Sequence, residues 1–124
     1  MEHKTKILVV DDNTALLEMI NETLLDHGYD VAMTSDGKDA TKLFTDFNPD
    51  IVLTDIVMPG VDGIELLLGL RKLKSDIKIM AMSGGNRGHA DTYLHMAEKL
   101  GANKIISKPF QISELLKELD SLVV

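Results

Sequence analysis

The chain contains no cysteine, which excludes a disulfide framework and a zinc–thiolate centre. It has no run approaching the ~18 apolar residues that a membrane-spanning helix needs. Met1 to Lys6 is polar and charged and passes straight into a short apolar run. A signal peptide would show a longer apolar stretch and a small-residue cleavage site, so the expected location is the cytoplasm. Pro/Gly/Ser-rich linkers, low-complexity tracts and internal repeats are missing, and residues 1–124 are expected to form one domain. Basic charge is in deficit, with 13 Lys and Arg against 20 Asp and Glu and a net charge of −7. That balance argues against direct binding to nucleic acid or an anionic membrane, both of which reward positive charge. Neither G-x-x-x-x-G-K-[ST] nor G-x-G-x-x-G occurs, which removes the common nucleotide-binding signatures.

Short apolar runs alternate with amphipathic stretches. Ile7 to Val10 and Ile51 to Leu53 are unbroken and suit strands buried on both faces. Tyr29 to Thr34 alternates more, as an edge strand does. Ile77 to Met82 and Ile105-Ile106 complete five strands. Between them run helical stripes. Leu16, Leu17, Ile20 and Leu24 are capped by Gly28, and Ala40, Leu43, Phe44 and Phe47 end at Asn48-Pro49. Asp62 with Glu65 forms a variant capping box opening a helix through Leu66, Leu70 and Leu73. Tyr93, Ala97 and Leu100 form a face stopped by Gly101. Ile112, Leu115, Leu116 and Leu119 form the last helix. Ser83 to Gly88 reads as a loop. Five strand–helix repeats imply a parallel sheet with helices on both faces.

In such sheets ligands bind beyond the carboxyl ends of the strands. Asp11 and Asp12 follow the first strand, Asp55 the third, Ser83 the fourth and Lys108-Pro109 the fifth. Three clustered carboxylates repel one another, and a divalent cation relieves that repulsion. Magnesium is held by one or two carboxylates plus a phosphate oxygen and water. Asp12 and Asp55 are the first choices as direct ligands, with Asp11 acting through water and a backbone carbonyl near Val57 completing the shell. Asp55 lies between two apolar stretches, which suits a partly desolvated nucleophile. Phosphoryl transfer needs alignment and positive charge on the transferred oxygens. Lys108 can supply part of that charge, and the Ser83 hydroxyl can donate to a phosphoryl oxygen. Taken singly, Asp11-Asp12 could be helix N-caps, Asp55 a strand end and Lys108-Pro109 a turn. Their coincidence at four strand ends favours a site.

The chain resembles the response-regulator receiver domain of two-component signalling, the CheY-like family. The resemblance rests on Ile7-Leu8-Val9-Val10-Asp11-Asp12, Leu53 to Gly63, Met82-Ser83-Gly84 and Ser107-Lys108-Pro109-Phe110, in the family's order and across essentially the whole chain. It implies a flavodoxin-like (βα)5 three-layer α/β sandwich with strand order 2-1-3-4-5. It implies a phosphoacceptor rather than an enzyme, with Asp55 phosphorylated by a histidine kinase or phosphotransfer protein. It also implies a magnesium site at Asp11, Asp12 and Asp55, roles for Ser83 and Lys108, and a cis Lys108-Pro109 bond. The partners implied are a kinase and either a downstream protein target or an effector domain outside this chain. A homodimer through the last helices is compatible with it.

One position departs from the family. The switch aromatic in strand five is Ile105 here, a stiff β-branched residue with no ring. The signal is therefore expected to leave through the Ser83 to Gly88 loop, with Gly84, Gly85 and Gly88. Val57 and Gly85 have no side chain able to place a water, which points to slow self-dephosphorylation. A pseudo-receiver that never takes phosphate is the alternative reading, but such domains typically lack an acidic residue or the lysine. A haloacid-dehalogenase-type phosphatase would need an Asp-x-Asp pair and a cap domain. His3, His27, His89 and His95 show no metal-ligand spacing and are expected at the surface.

Overall fold

The computed structural model describes residues 4–58, 61–84 and 90–123. In chain order they form β1 (Lys6–Val10), α1 (Thr14–Asp26), β2 (Asp30–Thr34), a 3-10 turn (Gly37–Asp39), α2 (Ala40–Phe47) and β3 (Ile51–Asp55). Next come the two-residue strands β4 (Val57–Met58) and β5 (Val61–Asp62), then α3 (Gly63–Leu73), β6 (Lys78–Gly84), α4 (Ala90–Lys99), β7 (Lys104–Lys108) and α5 (Ile112–Asp120). The main sheet is parallel throughout, in the order β2-β1-β3-β6-β7. Counting its five strands alone, that is 2-1-3-4-5, as expected.

Alternation along each central strand divides the core in two. Leu8, Val10, Val52, Ile79 and Ala81 face Ala40, Phe44, Leu67, Leu70 and Ala97 of α2, α3 and α4. Ile7, Val9, Leu53, Met80 and Met82 face Leu17, Ile20, Leu24, Leu115 and Leu119 of α1 and α5. Helices thus cover both faces, and the central strands are apolar without interruption because neither face meets water.

The helix ends follow local chemistry. Gly28 adopts φ +97 after α1, a left-handed conformation that costs a residue without Cβ little. Asn48 closes α2 in the same region, directly before Pro49. Asp62 caps α3 by accepting from the N–H groups of Ile64 and Glu65 at 2.9 and 3.2 Å.

Some expectations change in detail. Leu73 and Leu100, assigned to buried stripes, are exposed; Leu67 takes the core place on α3, and α4 ends at Lys99 before Leu100 is reached. The β4–β5 hairpin was not anticipated, because two-residue strands carry no periodicity. Ser83 and Gly84, assigned to a loop from glycine content, are instead the last residues of β6, paired with Ser107 and Lys108 of β7. Gly85 to His89, which include the rest of that loop, lie outside the described residues, as do His3, Pro59 and Gly60.

Candidate phosphoacceptor and metal site

The strands run further than their apolar cores, and this builds the site. Asp55 is the last residue of β3, Ser83 is next to last in β6, and Lys108 ends β7. Asp11 extends β1, its N–H donating to Thr34 O at 3.3 Å. Because Val10 pairs with Thr54, Asp11 and Asp55 follow side by side on adjacent strands. Functional groups are thus fixed as the final rungs of a ladder rather than carried on free loops.

Asp11 is fully buried and Asp55 is 5% exposed, whereas Asp12 is exposed. One carboxylate oxygen from each can be chosen so that all three lie within 4.8 Å of one another. Lys108 bridges two of them: its ammonium donates to Asp11 Oδ2 and, at 2.9 Å, to Asp55 Oδ2. The other oxygens are held by backbone. Asn13 N–H donates to Asp11 Oδ1 and Val57 N–H to Asp55 Oδ1, each at 2.9 Å. The α1 cap is Asn13, whose side chain accepts from Leu16 N–H. Asp11 and Asp12 are therefore not consumed in capping, and the plain reading of the pair as N-caps fails.

Burial pushes the Asp11 carboxyl above its ordinary pKa, against the opposing hydrogen bonds from Lys108 and Asn13. Burial also works against the Lys108 charge, but bonding to Asp11 and Asp55 outweighs it and holds the ammonium above its ordinary value. The donor set is carboxylate oxygen alone, which suits a hard divalent cation. The Ser83 hydroxyl is 1% exposed and, among the described residues, has no hydrogen-bond partner. A buried hydroxyl left unpaired is costly, so the pocket has a place for an oxygen-bearing ligand. The Lys108-Pro109 bond is cis. Beside it opens a groove of about 440 Å³ lined by Leu16, Met19, Gly84, Lys108, Pro109 and Phe110.

The chain belongs to the response regulator receiver domain family. The family model matches residues 7–120. A response regulator MprA of Mycolicibacterium vanbaalenii is 33% identical over 120 residues, 95% of this chain and 50% of the relative. The chain thus spans about half the length of the curated relatives it matches. Among solved structures, the receiver domain of Francisella response regulator 1452 aligns with a TM-score of 0.83 at 30% identity, over 96% of each chain. The Vibrio cholerae chemotaxis protein CheY4 aligns with a TM-score of 0.85 at 26% identity, over 98% of this chain and all of that one.

A receiver domain is a signalling phosphoacceptor rather than an enzyme. The carboxylates of Asp11, Asp12 and Asp55 are grouped closely enough to hold a metal ion, as is typical of receiver domains. Of the residues named from sequence, the structure gathers these three with Lys108. Val57 joins through its N–H; its side chain is exposed. Ile105 is half-buried against the α2–α4 core. Among the described residues, no helix is long and apolar enough to cross a membrane. His27 and His95 are at the surface as expected. Sequence reasoning missed Asn13 and the Lys108 bridge to Asp11. The Asn-x-x cap pattern signals the first, but no local signal carries a contact across 97 positions.

Proposed function

We propose that residues 1–124 act as one receiver domain in a two-component phosphorelay, with Asp55 as the residue phosphorylated. The observation that carries this reading is the environment of the Asp55 carboxylate. Its Oδ1 is tethered by Val57 N–H, and its Oδ2 faces Lys108 within the acidic group. A histidine kinase or phosphotransfer protein would present a phosphoryl group from the open side, next to the groove at Pro109 and Phe110. A bond then forms between an Asp55 oxygen and phosphorus as the bond to the donor nitrogen breaks. Lys108 turns its ammonium to a phosphoryl oxygen, and the Ser83 hydroxyl donates to another.

Mg2+ fits the oxygen-only donor set. Asp11, Asp12 and Asp55, with the Val57 carbonyl, would hold it, and it would supply positive charge for the transferred oxygens. Ser83 and Ile105 are the switch pair. With Ile105 in place of a ring, the change is carried by the backbone after Ser83 rather than by a swinging aromatic. The output is altered affinity for a protein target or for an effector domain beyond this chain. We place the domain in the cytoplasm, where a kinase of this kind would meet it.

Incubation with Mg2+ and acetyl phosphate, followed by intact-mass measurement, tests the reading. A single phosphoryl adduct is expected, absent from Asp55→Asn and from a metal-free control. An adduct that persists in Asp55→Asn would move the site elsewhere. No adduct with wild-type protein that nevertheless binds Mg2+ would leave only a kinase as donor, and absence of metal binding would favour the pseudo-receiver.

A further inference from the structure

Helix α3 starts against bare backbone. Gly63, its first residue, is buried, and a Cβ built there would run into the Cα, carbonyl carbon and carbonyl oxygen of Ile56, with the carbon 2.6 Å away. These are main-chain atoms, which cannot swing aside as the tip of a side chain can. Gly69, later in the same helix, has nothing among the described residues within 4 Å of its built Cβ.

Ile56 links Asp55 to the residue that holds it. Its own N–H donates to Met82 O at 3.0 Å, and its side chain is 4% exposed among Leu66, Leu67 and Leu70. The Ile56 carbonyl and the Val57 N–H belong to one planar peptide unit. That N–H is the group that donates to Asp55 Oδ1 at 2.9 Å. Pressure on the Ile56 oxygen therefore turns the Val57 N–H away from Asp55, because the two ends of the plane rotate together.

We infer that Gly63 is a positioning residue for Asp55: it lets the first turn of α3 rest on the Ile56–Val57 peptide and so fixes the N–H that orients the Asp55 carboxylate. Oδ2 is then left facing Lys108 and the acidic group. This deepens the phosphoacceptor reading and rests on it for its consequence. The side chain of Asp62 contributes indirectly, since it caps the same turn through Ile64 and Glu65.

The test compares Gly63→Ala with Gly69→Ala, reading phosphoryl acceptance from acetyl phosphate at saturating Mg2+ together with the Val57 amide resonance. Gly63→Ala is expected to slow acceptance about tenfold or more and to move the Val57 resonance toward its position in Asp55→Ala. Gly69→Ala is expected to leave both at wild-type values. A folded Gly63→Ala with wild-type rate and resonance overturns the inference. If Gly63→Ala does not fold, hydrogen exchange decides. In the wild type the Val57 amide should open in step with Ile64 and Glu65, and Asp62→Ala should speed all three. Val57 exchange indifferent to Asp62→Ala overturns the inference. A wild type that takes phosphate neither from acetyl phosphate nor from a histidine kinase would instead count against the phosphoacceptor reading, while the Val57 readouts still judge what Gly63 holds.

Discussion

Lys108 and Asp55 meet at 2.9 Å, ammonium to Oδ2, while the same ammonium also bonds Asp11. One cation thus offsets two largely buried carboxylates, and its side chain is 19% exposed. Lys108→Met should destabilise the metal-free protein by about 2 kcal/mol, below the ~3–5 kcal/mol of a fully buried pair because water reaches this ammonium. Mg2+ should restore more stability to the variant than it adds to the wild type. Urea unfolding with and without the metal reads both effects, and equal responses to Mg2+ would contradict the bridge.

Ser83→Ala should separate stability from function. The hydroxyl is buried and, among the described residues, unpaired, so removing it should leave stability unchanged or raise it by up to about 1 kcal/mol. Phosphoryl acceptance should fall by roughly a hundredfold or more, the scale of one lost donor to a developing charge. A variant less stable than wild type would show that the hydroxyl has a partner in solution.

At the far end of the sheet, Asp120 accepts from Tyr29 Oη and lies 3.1 Å from His27 Nε2. The Tyr29 hydrogen bond, with a smaller contribution from His27, holds the Asp120 carboxyl below its ordinary value of 3.8. A folded-state pKa below the unfolded one gives stability that is present above the ordinary value and is lost as pH falls through the folded value. The stability gap between wild type and Asp120→Asn should be full near neutrality and shrink below about pH 4. Unfolding curves between pH 3 and 7 would show it, and a gap that widens in acid would reverse the sign.

Arg71 ties three segments together. Its guanidinium donates to the Ile77 and Gly101 carbonyls and to Asn103 Oδ1, joining α3, the start of β6 and the turn after α4. Arg71→Ala should cost about 2 kcal/mol, and Arg71→Lys should recover little because an ammonium lacks the fork. Thermal and urea unfolding measure the loss. Phosphoryl acceptance should stay near wild type in both, since the brace lies at the opposite edge of the sheet from Asp55.

Sequence showed the strand–helix alternation because the central strands are apolar on both faces and the helices on one. It placed Asp11, Asp12, Asp55, Ser83 and Lys108 at one edge because parallel topology sends every strand's end the same way. It could not show which groups Lys108 touches before phosphate arrives, since that contact joins β1, β3 and β7. The Asn13 cap of α1 was legible as a cap pattern but overshadowed by the two aspartates before it, whereas the extension of β6 through Ser83 and Gly84 was not, because pairing with β7 overrides a loop-like composition.

The cap at Asn13 has a consequence for how damage to the protein would be noticed. Asp12 is exposed and holds neither a helix end nor a strand. Losing its carboxylate would remove a proposed metal ligand without removing a structural contact. A chain altered there would fold at least as stably as its parent, since one of three repelling carboxylates is gone, and its silence would show only in metal binding and phosphoryl acceptance.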